Sequence, residues 1–600
     1  MNNEEKLESE LSNITKKIEE LPSGYISKKT INGKTKHYLQ WTEDGKKKSK
    51  YIDDHNLLEL ETKIERRREL QKRLKELYLL LPKKKNGIKT EETTVFKTNV
   101  LVGETLKKYV SGVANYKRRG IYKNLSDYIY GETNGKVFIL YGLRRTGKTT
   151  LIRQAIAEMD EAAFSKTAFV QIGNGVGLAD VNHDLKLLLD KGFHYVFIDE
   201  ATLMKDFIDG AALFSDVFAT CGMKIVLSGT DSLGFLFSED EQLYDRCVFL
   251  HTTFIPFKEF EEVLGVRGID EYIRYGGTMS LGGVHYNEES LFANMKSVDE
   301  YIDSAIAKNI QHSLECYQCG NHFRALRELH EKDELTNAIN RVVEDANHRF
   351  TVEVLTRDFI SHDLGISARN LRNDKQKPTD ILDRIDKVAF TKKLKELLEI
   401  KDKEERKVAI SDEHRFEIKE YLDELDLTVD IDICSLPVGK ERYSKTVFTQ
   451  PGIRYSQAKE LIKSLLFDET FQELSIGERD VIVKRILSDV KGRMMEDIVL
   501  LETKLAYPRK QVFQLQFAIG EFDMVVLDEE NLTCEIYEIK HSDVQANEQY
   551  RHLIDEDKLK RTEFRYGKIT KRVVIYRGKD AKLDNGIEYR NVEGYLKSLH

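Results

Sequence analysis

The chain has 600 residues, of which 40% are hydrophobic, and its 94 Lys and Arg against 102 Asp and Glu give a formal net charge of −8. This length predicts about three to five domains, and the acidic balance excludes a basic field over the whole surface, so any nucleic-acid surface must be local. Six scattered cysteines, no signal peptide and no apolar run long enough to span a bilayer predict a reduced, cytoplasmic protein without a membrane partner.

Residues 1–90 are expected to form a coiled coil that encloses a small sheet. The first helix carries apolar residues that step by four and three, namely Leu7, Leu11, Ile14, Ile18 and Leu21. A second charged, Leu-rich helix over residues 55–80 is able to pair with it, which predicts an antiparallel coiled coil. Such a coiled coil offers a surface to a protein partner or to a second copy of the chain.

The segment 24–52 between these helices is predicted to be a three-stranded meander. Asn32-Gly33 and Asp44-Gly45 are hairpin signals, and the runs beside them are rich in Tyr, Ile, Thr and Trp. Lysines outnumber acidic residues here and alternate with aromatic ones. Two interpretations stay open: a surface for a phosphate backbone and stacked bases, or a solvated hairpin tip whose lysines block edge pairing.

Residues 95–250 alternate apolar strands with helical segments, which predicts a doubly wound parallel sheet. The strand Val137 to Leu140 leads into a loop of the form G-x-x-x-x-G-K-T at 142–149, followed by a helical pattern. In such a loop backbone N–H groups surround the phosphates of ATP, the lysine adds positive charge, and the last threonine ligates Mg²⁺. The predicted nucleotide-binding residues of this loop are Gly142, Arg145, Thr146, Gly147, Lys148, Thr149 and Thr150.

Two further strands end in polar side chains at the expected position of the nucleotide. The first, from His194, ends in Asp199 and Glu200; we expect Asp199 to hold the Mg²⁺ shell and Glu200 to orient or deprotonate the attacking water. The second ends in Ser228 and Thr230, whose hydroxyls are candidates for sensing the γ-phosphate.

An arginine precedes the next strand-like run. Arg246 is interpreted either as an arginine finger that reaches the phosphates of its own or a neighbouring subunit, or as a surface salt-bridge residue. A finger that acts on a neighbour requires a homo-oligomer.

These motifs, in order, resemble a bacterial and archaeal family of AAA-type (STAND-like) P-loop ATPases. The segments that carry the resemblance are 142–150, 197–200, 227–230, 256–260 and 272–277. The chain departs from the family at Thr278-Met279, where an aromatic residue and a proline are usual. The resemblance covers about residues 110–600 and implies an ATPase core at 95–250, a helical lid at 251–345, a winged-helix-like region at 346–445 and a restriction-endonuclease-like α/β domain at 450–600.

Two segments between core and C-terminus have alternative interpretations. Cys316, Cys319 and His322 have metal-like spacing, but no second ligand pair lies nearby, so a metal-free helix is predicted. The short helix pair from Phe359 to Leu371 resembles a winged helix, which either contacts DNA or acts as a regulatory lid.

The C-terminal region carries a second constellation of charged residues. Asp523 leads into a strand, and a following strand ends in Glu538-Ile539-Lys540, where alternation puts Glu538 and Lys540 on one face. Two carboxylates from adjacent strands are able to hold Mg²⁺ while Lys540 positions or activates water and stabilises the developing charge. The set resembles the PD-(D/E)xK nucleases, which implies Asp523 as metal ligand, Glu538 and Lys540 as the Glu-x-Lys pair and Glu496 as the helical acidic residue. Gln549 matches a polar position that often supports such a site.

Together these patterns predict a multidomain α/β protein that is an ATP-dependent or ATPase-gated nuclease. Its predicted partner is nucleic acid, DNA rather than RNA, and a role in defence against mobile elements extends this from architecture alone. Two alternatives remain: a signalling switch whose ATP state controls oligomerisation, with a C-terminal domain that no longer cuts, and a remodeller whose terminal domains only bind nucleic acid.

Overall fold

The computed structural model describes three strands within residues 25–52, a few isolated residues before position 67, and residues 95–599 apart from gaps. The gaps longer than two residues are 231–233, 236–242, 280–294, 308–310, 315–322, 359–385, 405–409 and 438–442. The chain divides into two compact units, Met1–Thr93 and Thr94–His600.

The first unit contains a three-stranded antiparallel sheet in the order β1-β2-β3, as predicted. Its strands are β1 (Tyr25–Ile31), β2 (Lys34–Glu43) and β3 (Lys46–Ile52). The register places Trp41 opposite Lys48 and Tyr38 opposite Tyr51. The predicted coiled-coil helices lie outside the described residues, apart from isolated positions.

The second unit begins with a six-stranded sheet in the order β4-β6-β7-β8-β5-β9. Its strands are β4 (Asn99–Leu101), β5 (Val137–Tyr141), β6 (Thr167–Gln171), β7 (Tyr195–Asp199), β8 (Lys224–Gly229) and β9 (Cys247–His251). Its helices are α1 (Gly103–Ser111), α2 (Tyr122–Tyr130), α3 (Lys148–Ala157), α4 (Glu161–Phe164), α5 (Leu178–Asp190) and α6 (Phe207–Gly210). All pairings are parallel except the one between β4 and β6, so this part is the predicted doubly wound sheet.

Helices cover both faces of this sheet because its strands are apolar on both sides. Along β5, Val137 and Ile139 belong to one buried cluster, which includes residues of α5 and the segment 207–219. Phe138 and Leu140 belong to the opposite cluster with α1, α2 and α3. The carboxyl ends of the central strands therefore meet at one edge, where ligands of such sheets bind.

The helices after β9 divide between two hydrophobic clusters. They are α7 (Phe257–Leu264), α8 (Ile269–Tyr275), α9 (Met295–Tyr301), α10 (Arg324–Glu331), α11 (Leu335–Glu353), α12 (Lys387–Glu404) and α13 (Asp412–Glu424). Residues of α7 and α8 pack into the core of the C-terminal sheet, whereas α9, α10, the first half of α11 and α13 form a core of their own. The pair Phe359 to Leu371 and the residues Cys316, Cys319 and His322 lie outside the described ranges.

The C-terminal sheet has eight strands in the order β11-β10-β12-β13-β14-β15-β17-β16. The strands are β10 (Thr428–Leu436), β11 (Tyr443–Phe448), β12 (Gln511–Phe517), β13 (Glu521–Asp528), β14 (Thr533–Lys540), β15 (Lys568–Tyr576), β16 (Ala581–Lys582) and β17 (Glu588–Asn591). The helices are α14 (Pro451–Leu466), α15 (Ile476–Ala506), α16 (Glu556–Tyr566) and α17 (Val592–Leu599). The long helix α15 packs against one face, to which Met524 and Ile539 contribute.

One predicted boundary differs from the structure. Strand β10 pairs in parallel with β12 and antiparallel with β11, so residues 428–448 are part of the C-terminal sheet. The division expected between 445 and 450 therefore cuts across a continuous sheet. In the described part of the chain, no helix combines the length and the apolar character needed to cross a membrane.

Candidate nucleotide site and carboxylate–lysine site

The glycine-rich loop joins β5 to α3 in the order strand, loop, helix that its motif requires. Gly142 and Gly147 have φ angles of +140° and +91°, a region that favours glycine, and Arg145 between them has φ of +65°. A Cβ on Gly142 would lie 2.6 Å from the Oγ1 of Thr252, so the close approach of the loop to the end of β9 requires glycine here.

Two threonines after β9 hold this loop in place. Thr253 Oγ1 accepts a hydrogen bond from the N–H of Leu143 at 3.1 Å, and Thr252 Oγ1 lies 2.9 Å from Thr146 Oγ1. Thr146 also donates to the carbonyl of Leu143 at 2.8 Å. Because the buried Thr146 hydroxyl serves the loop itself, its expected contribution to nucleotide binding is the backbone N–H.

Lys148 is the buried cation of this loop. Its Nζ donates to the carbonyl oxygens of Gly142 at 2.7 Å and Leu143 at 2.8 Å. Burial lowers its pKa to about 8, although the carboxylates of Glu200 and Asp199 act in the opposite direction. The ammonium is therefore held close to the loop, where the phosphates of a nucleotide would gain most from it.

Asp199 ends β7 and connects the loop helix to the next strand. Its Oδ2 accepts from Thr149 Oγ1 at 3.0 Å, and its Oδ1 accepts from Ser228 Oγ at 2.5 Å. The structure thus brings together the predicted Mg²⁺-binding pair Thr149 and Asp199 with the predicted sensor Ser228. Thr150 follows in the first turn of α3 and is half-buried.

Glu200 follows Asp199 in a backbone conformation that only a minority of non-glycine residues adopt. Its φ is +55°, and its Oε2 accepts from the N–H of Thr230 at 3.3 Å and from the Thr230 hydroxyl at 3.1 Å. Such strained positions concentrate at functional sites. The end of β8 thus fixes the carboxylate that was predicted to orient the attacking water.

A buried ion pair that the sequence did not predict stabilises the glycine-rich loop. Arg119 and Glu259 form a bidentate contact at 3.0 and 2.9 Å, and Arg119 Nη1 donates to the carbonyl of Thr146 at 2.5 Å. Arg119 also donates to the carbonyls of Thr252 and Phe254. Since Glu259 lies on α7, this pair connects the glycine-rich loop to the helices that follow the ATPase sheet.

Replacing Arg119 with methionine is expected to destabilise the second unit by about 3–5 kcal/mol, because it leaves Glu259 as a buried, unpaired charge. The double variant Arg119→Met with Glu259→Leu should recover the part of the loss that comes from the unpaired charge, whereas the lost bonds to the carbonyls of Thr146, Thr252 and Phe254 remain. The midpoint of chemical unfolding measures both. Equal destabilisation by single and double variants would contradict this assignment.

The structure corrects one part of the expectation for Arg246. Strands β5 and β9 are parallel with Val137 opposite Cys247, so Arg246 lies at the edge where β5 begins, whereas the glycine-rich loop follows its other end. Five residues of strand separate the two edges, roughly 16 Å at 3.3 Å per residue. Arg246 pairs instead with Asp216 at 3.1 Å, the salt-bridge alternative. A role at a neighbouring subunit's phosphates stays a prediction.

Helices beyond the ATPase sheet also contact the glycine-rich loop. Met279 N–H donates to the carbonyl of Arg145 at 2.8 Å, so the position that departs from the family pattern lies directly on the loop. Tyr301 OH donates to the carbonyl of Arg144 at 3.2 Å, and the buried amide of Gln450 donates to Tyr301 at 3.1 Å. Gln450 immediately precedes α14 of the C-terminal sheet domain.

The second predicted constellation also comes together, and we call Asp523, Glu538 and Lys540 the carboxylate–lysine site. Lys540 Nζ lies 2.9 Å from Asp523 Oδ2 and 2.7 Å from Glu538 Oε2, and the N–H of Ile539 donates to Asp523 at 2.7 Å. Both carboxylates are almost fully buried, whereas 32% of the Lys540 side chain is exposed. The site is therefore open to solvent on its lysine side.

The charges of this site are strongly coupled. Burial and the neighbouring Asp523 raise the pKa of Glu538 well above its usual range. Burial acts in the same direction on Asp523, but Lys540 and the Ile539 N–H lower its pKa overall. Burial opposes the charge of Lys540, yet the two carboxylates raise its pKa well above that of a free lysine. Lys540 is thus a persistent cation.

The helical acidic residue lies on α15 next to this site. Arg493 Nη1 donates to Glu496 Oε2 at 2.6 Å, and burial raises the pKa of Glu496 to about 7, against the effect of Arg493. The amide of Gln549 bonds the carbonyl of Val544 and the N–H of Ala546, so it shapes the loop after β14.

The carboxylate oxygens of this site suit a hard cation that needs only one or two ligands from the protein. Glu538 Oε1 is buried and has no hydrogen-bond partner, which leaves one carboxylate oxygen free for a metal. Among the described residues no group of three or more His, Cys, Asp or Glu is able to hold a metal ion. Mg²⁺ commonly binds through one or two carboxylates and retains water, so Asp523 and Glu538, like Thr149 and Asp199, fit it.

The geometry of the first site agrees with a family comparison. Residues 134–261 match a family described as an AAA domain (AAA_14), and residues 4–62 match a domain of unknown function (DUF6788). No curated protein matches the chain.

Two solved structures show low overall similarity. C. elegans PCH-2 is 16% identical over 25% of this chain and 42% of that chain, with a TM-score of 0.15, so this chain spans less than half of PCH-2. The Aeropyrum pernix ORC1 protein, solved in complex with DNA, is 12% identical over 59% of this chain and 96% of that chain, with a TM-score of 0.21. Neither likeness bears on the function of this chain.

The matched segment contains most strands of the six-stranded sheet. It also contains the glycine-rich loop after β5 and the Asp199-Glu200 pair at the end of β7. Residues 134–261 are therefore an AAA-type P-loop ATPase domain, of a class that binds nucleotide and hydrolyses ATP.

Proposed function

We propose that this protein is a nuclease for DNA whose activity is controlled by its ATPase domain. The observation that carries the proposal is the carboxylate–lysine site, in which one lysine contacts two buried carboxylates from adjacent strands and one oxygen of Glu538 has no partner. Metal-dependent phosphodiester cleavage uses carboxylates that hold the metal and a cation near the scissile phosphate.

In this proposal each residue of the site has a distinct task. Asp523 and Glu538 would hold Mg²⁺, which supplies charge stabilisation and a more acidic water when bound. Because Lys540 is a persistent cation, it would orient water and stabilise the charge that develops on the phosphate, and it would not accept a proton. Its exposed face is the side from which a strand would approach.

Two series of contacts connect the glycine-rich loop with the C-terminal domain and support control by ATP. In the first, Glu259 of α7 binds Arg119 behind the loop, while the N–H of Phe257 on the same helix donates to Glu502 of α15 at 2.7 Å. Helix α15 also carries Glu496. A displacement of α7 by nucleotide would therefore reach the helix that lines the carboxylate–lysine site.

The second series runs through Tyr301 and Gln450 to α14. From there Arg454, almost fully buried, contacts Asp497 at 2.8 Å, and Asp497 neighbours Glu496 on α15. Fixed contacts of this kind are able to couple the nucleotide site to the carboxylate–lysine site, and we propose that they do so.

The other predicted partners complete the proposal. The basic meander would act as a separate sensor for nucleic acid or a protein partner, and the coiled coil would support a homo-oligomer. A role in defence against mobile elements follows only if the nuclease is active.

A second candidate is an ATP-controlled switch whose C-terminal domain does not cut. It is favoured by the small number of metal ligands among the described residues and by the ion pair between Lys540 and Asp523. The third candidate, a remodeller, would move strands without cutting them.

Wild-type protein is expected to cleave labelled DNA with Mg²⁺, and ATP is expected to change the rate. Glu538→Gln should lower cleavage about 100-fold or more, because it removes the unpartnered carboxylate oxygen without changing the shape of the side chain. Gel analysis of single- and double-stranded DNA, with RNA of the same sequence, measures this.

Phosphate release from ATP provides the control, since Glu538→Gln should leave basal ATP hydrolysis intact. ATP hydrolysis by a wild-type protein that cuts no nucleic acid under any of these conditions would refute the nuclease and favour the switch.

A further inference from the structure

A single carboxylate of the lid helix α8 lies among three basic side chains of the C-terminal domain. Asp270 Oδ1 is 3.1 Å from Lys491 Nζ and 3.2 Å from His541 Nε2, and Asp270 Oδ2 is 3.0 Å from Arg577 Nη2. The three basic residues come from α15, from the end of β14 and from the end of β15. We call Lys491, His541 and Arg577 the basic cluster.

The basic cluster carries more positive charge than Asp270 neutralises. Lys491 and Arg577 alone contribute two positive charges against one negative charge, and Arg577 Nη1 also lies 3.5 Å from His541 Nε2. The His541 hydrogen bond, together with the two cations, lowers the pKa of Asp270, so the carboxylate is ionised at neutral pH. Arginine and lysine make charge-assisted hydrogen bonds to carboxylates and to phosphates alike, so the groups that hold Asp270 also suit a phosphate.

The basic cluster borders the carboxylate–lysine site. His541 directly follows Lys540 in the chain, and the Cβ of His541 is 3.6 Å from the position that a Cβ on Gly492 would take, so α15 passes close to the end of β14. Lys491 precedes Gly492 on that helix. The end of β14 thus carries Lys540 on one face and His541 on the other, and a strand that passes around this end would place a further phosphate at these donors.

We propose that Lys491, His541 and Arg577 bind a backbone phosphate of the nucleic-acid strand, and that Asp270 occupies this position as an internal substitute until the strand replaces it. The inference rests on the proposed function, since it assigns the same site a contact with its substrate and a means of regulation. The ligand chemistry is a phosphodiester, recognised by charge and not by base.

Only the carboxylate of Asp270 has to leave, because the helix that carries it is firmly packed. Ile269, Tyr272 and Ile273 of α8 are almost fully buried, so the hydrophobic effect holds this helix in place. By contrast, the Asp270 side chain is 27% exposed and that of Arg577 is 38% exposed. Lys491 and His541 are 15% and 9% exposed, so a phosphate would reach the cluster from the side of Arg577, into the place that the Asp270 carboxylate leaves.

Asp270→Asn tests the proposal, because it removes the negative charge and keeps the shape. Equilibrium binding of a fluorescent DNA oligonucleotide to the full chain, with EDTA to prevent cleavage, should become roughly tenfold tighter. The double variant Asp270→Asn with Arg577→Ala should lose this gain in DNA affinity. Its plot of log affinity against log salt concentration should have a slope that is smaller by about one.

Glu261→Gln is the matched control. Glu261 of α7 contacts Lys597 of α17, so this variant removes another ion pair between the lid helices and the C-terminal domain away from the basic cluster. It should leave DNA affinity unchanged. Equal gains in Glu261→Gln and Asp270→Asn would show that loosened packing causes the effect, and would overturn the proposal.

Two further outcomes separate this proposal from the nuclease. Unchanged DNA affinity in Asp270→Asn, in a wild-type protein that cleaves DNA, overturns the basic cluster and leaves the nuclease. Tighter binding in Asp270→Asn without cleavage by wild type supports the cluster and refutes the nuclease. Inorganic phosphate is the remaining competitor. If it displaces DNA from Asp270→Asn at micromolar concentrations, a free phosphate is the ligand of the basic cluster and the nucleic-acid assignment is overturned.

Discussion

Replacing Lys148 with alanine is expected to reduce ATP hydrolysis by at least about 100-fold, the usual effect of removing a charge that stabilises a developing negative charge. The reason lies in its position: the ammonium is buried at the glycine-rich loop and bonded to the carbonyls of Gly142 and Leu143, where the phosphates of a nucleotide would lie. Release of phosphate from ATP measures the effect.

Lys136→Ala is the matched control for this prediction. Lys136 precedes the same strand β5 but at its opposite end, where it forms an exposed ion pair with Asp245 at 2.6 Å. The Lys136→Ala variant should hydrolyse ATP at the wild-type rate. Full hydrolysis by Lys148→Ala would show that the glycine-rich loop is not the site of the reaction.

The nucleotide site was predictable from sequence because its chemistry depends on short segments. The turn at Gly142 and Gly147, the helix start at Lys148 and the strand end at Asp199 each follow from a few neighbouring residues. Parallel strands bring their carboxyl ends to one edge, so Ser228 also reached Asp199 as the pattern implied. The same rule should have placed Arg246, at the start of β9, on the other edge.

The contacts that connect the domains could not be found in the same way. Arg119 and Glu259 are 140 positions apart, and Asp270 and His541 are 271 positions apart, so no local periodicity relates them. The one available signal was the position of His541 directly after Lys540. The pairing of β10 with β12 was not predicted, because it bridges a helical stretch of more than sixty residues, from 449 to 510.

The sequence predicted which residues form the carboxylate–lysine site. It did not predict the protonation states of their side chains. Alternation along β14 puts Glu538 and Lys540 on one face, and antiparallel pairing with β13 brings Asp523 to them. Burial then decides the protonation states, because it makes Glu538 a weak acid while Lys540 keeps Asp523 ionised. Burial of this kind depends on how α15 packs against the sheet, which sequence pattern does not position.

Lys540→Ala is expected to reduce DNA cleavage by about 100- to 1,000-fold, because the developing charge on the phosphate loses its cation. Binding of a divalent cation such as Mn²⁺, measured by calorimetry, should persist or strengthen in this variant, since Lys540 Nζ contacts Asp523 and Glu538. Glu538→Gln should lose both cleavage and metal binding, so the two variants separate the role of the lysine from that of the carboxylate.

Lys571→Ala is the control, because Lys571 pairs at 2.9 Å with Glu535 of the same strand β14 but on its exposed part. Lys571→Ala should cleave DNA at the wild-type rate. If Lys540→Ala loses cleavage but still binds the metal, the catalytic cation is Lys540. Undiminished cleavage by Lys540→Ala would instead mean that the lysine serves only as the structural partner of the two buried carboxyl groups. A structural role of that kind predicts a lower unfolding midpoint in Lys540→Ala with no loss of rate, and the two measurements together decide between them.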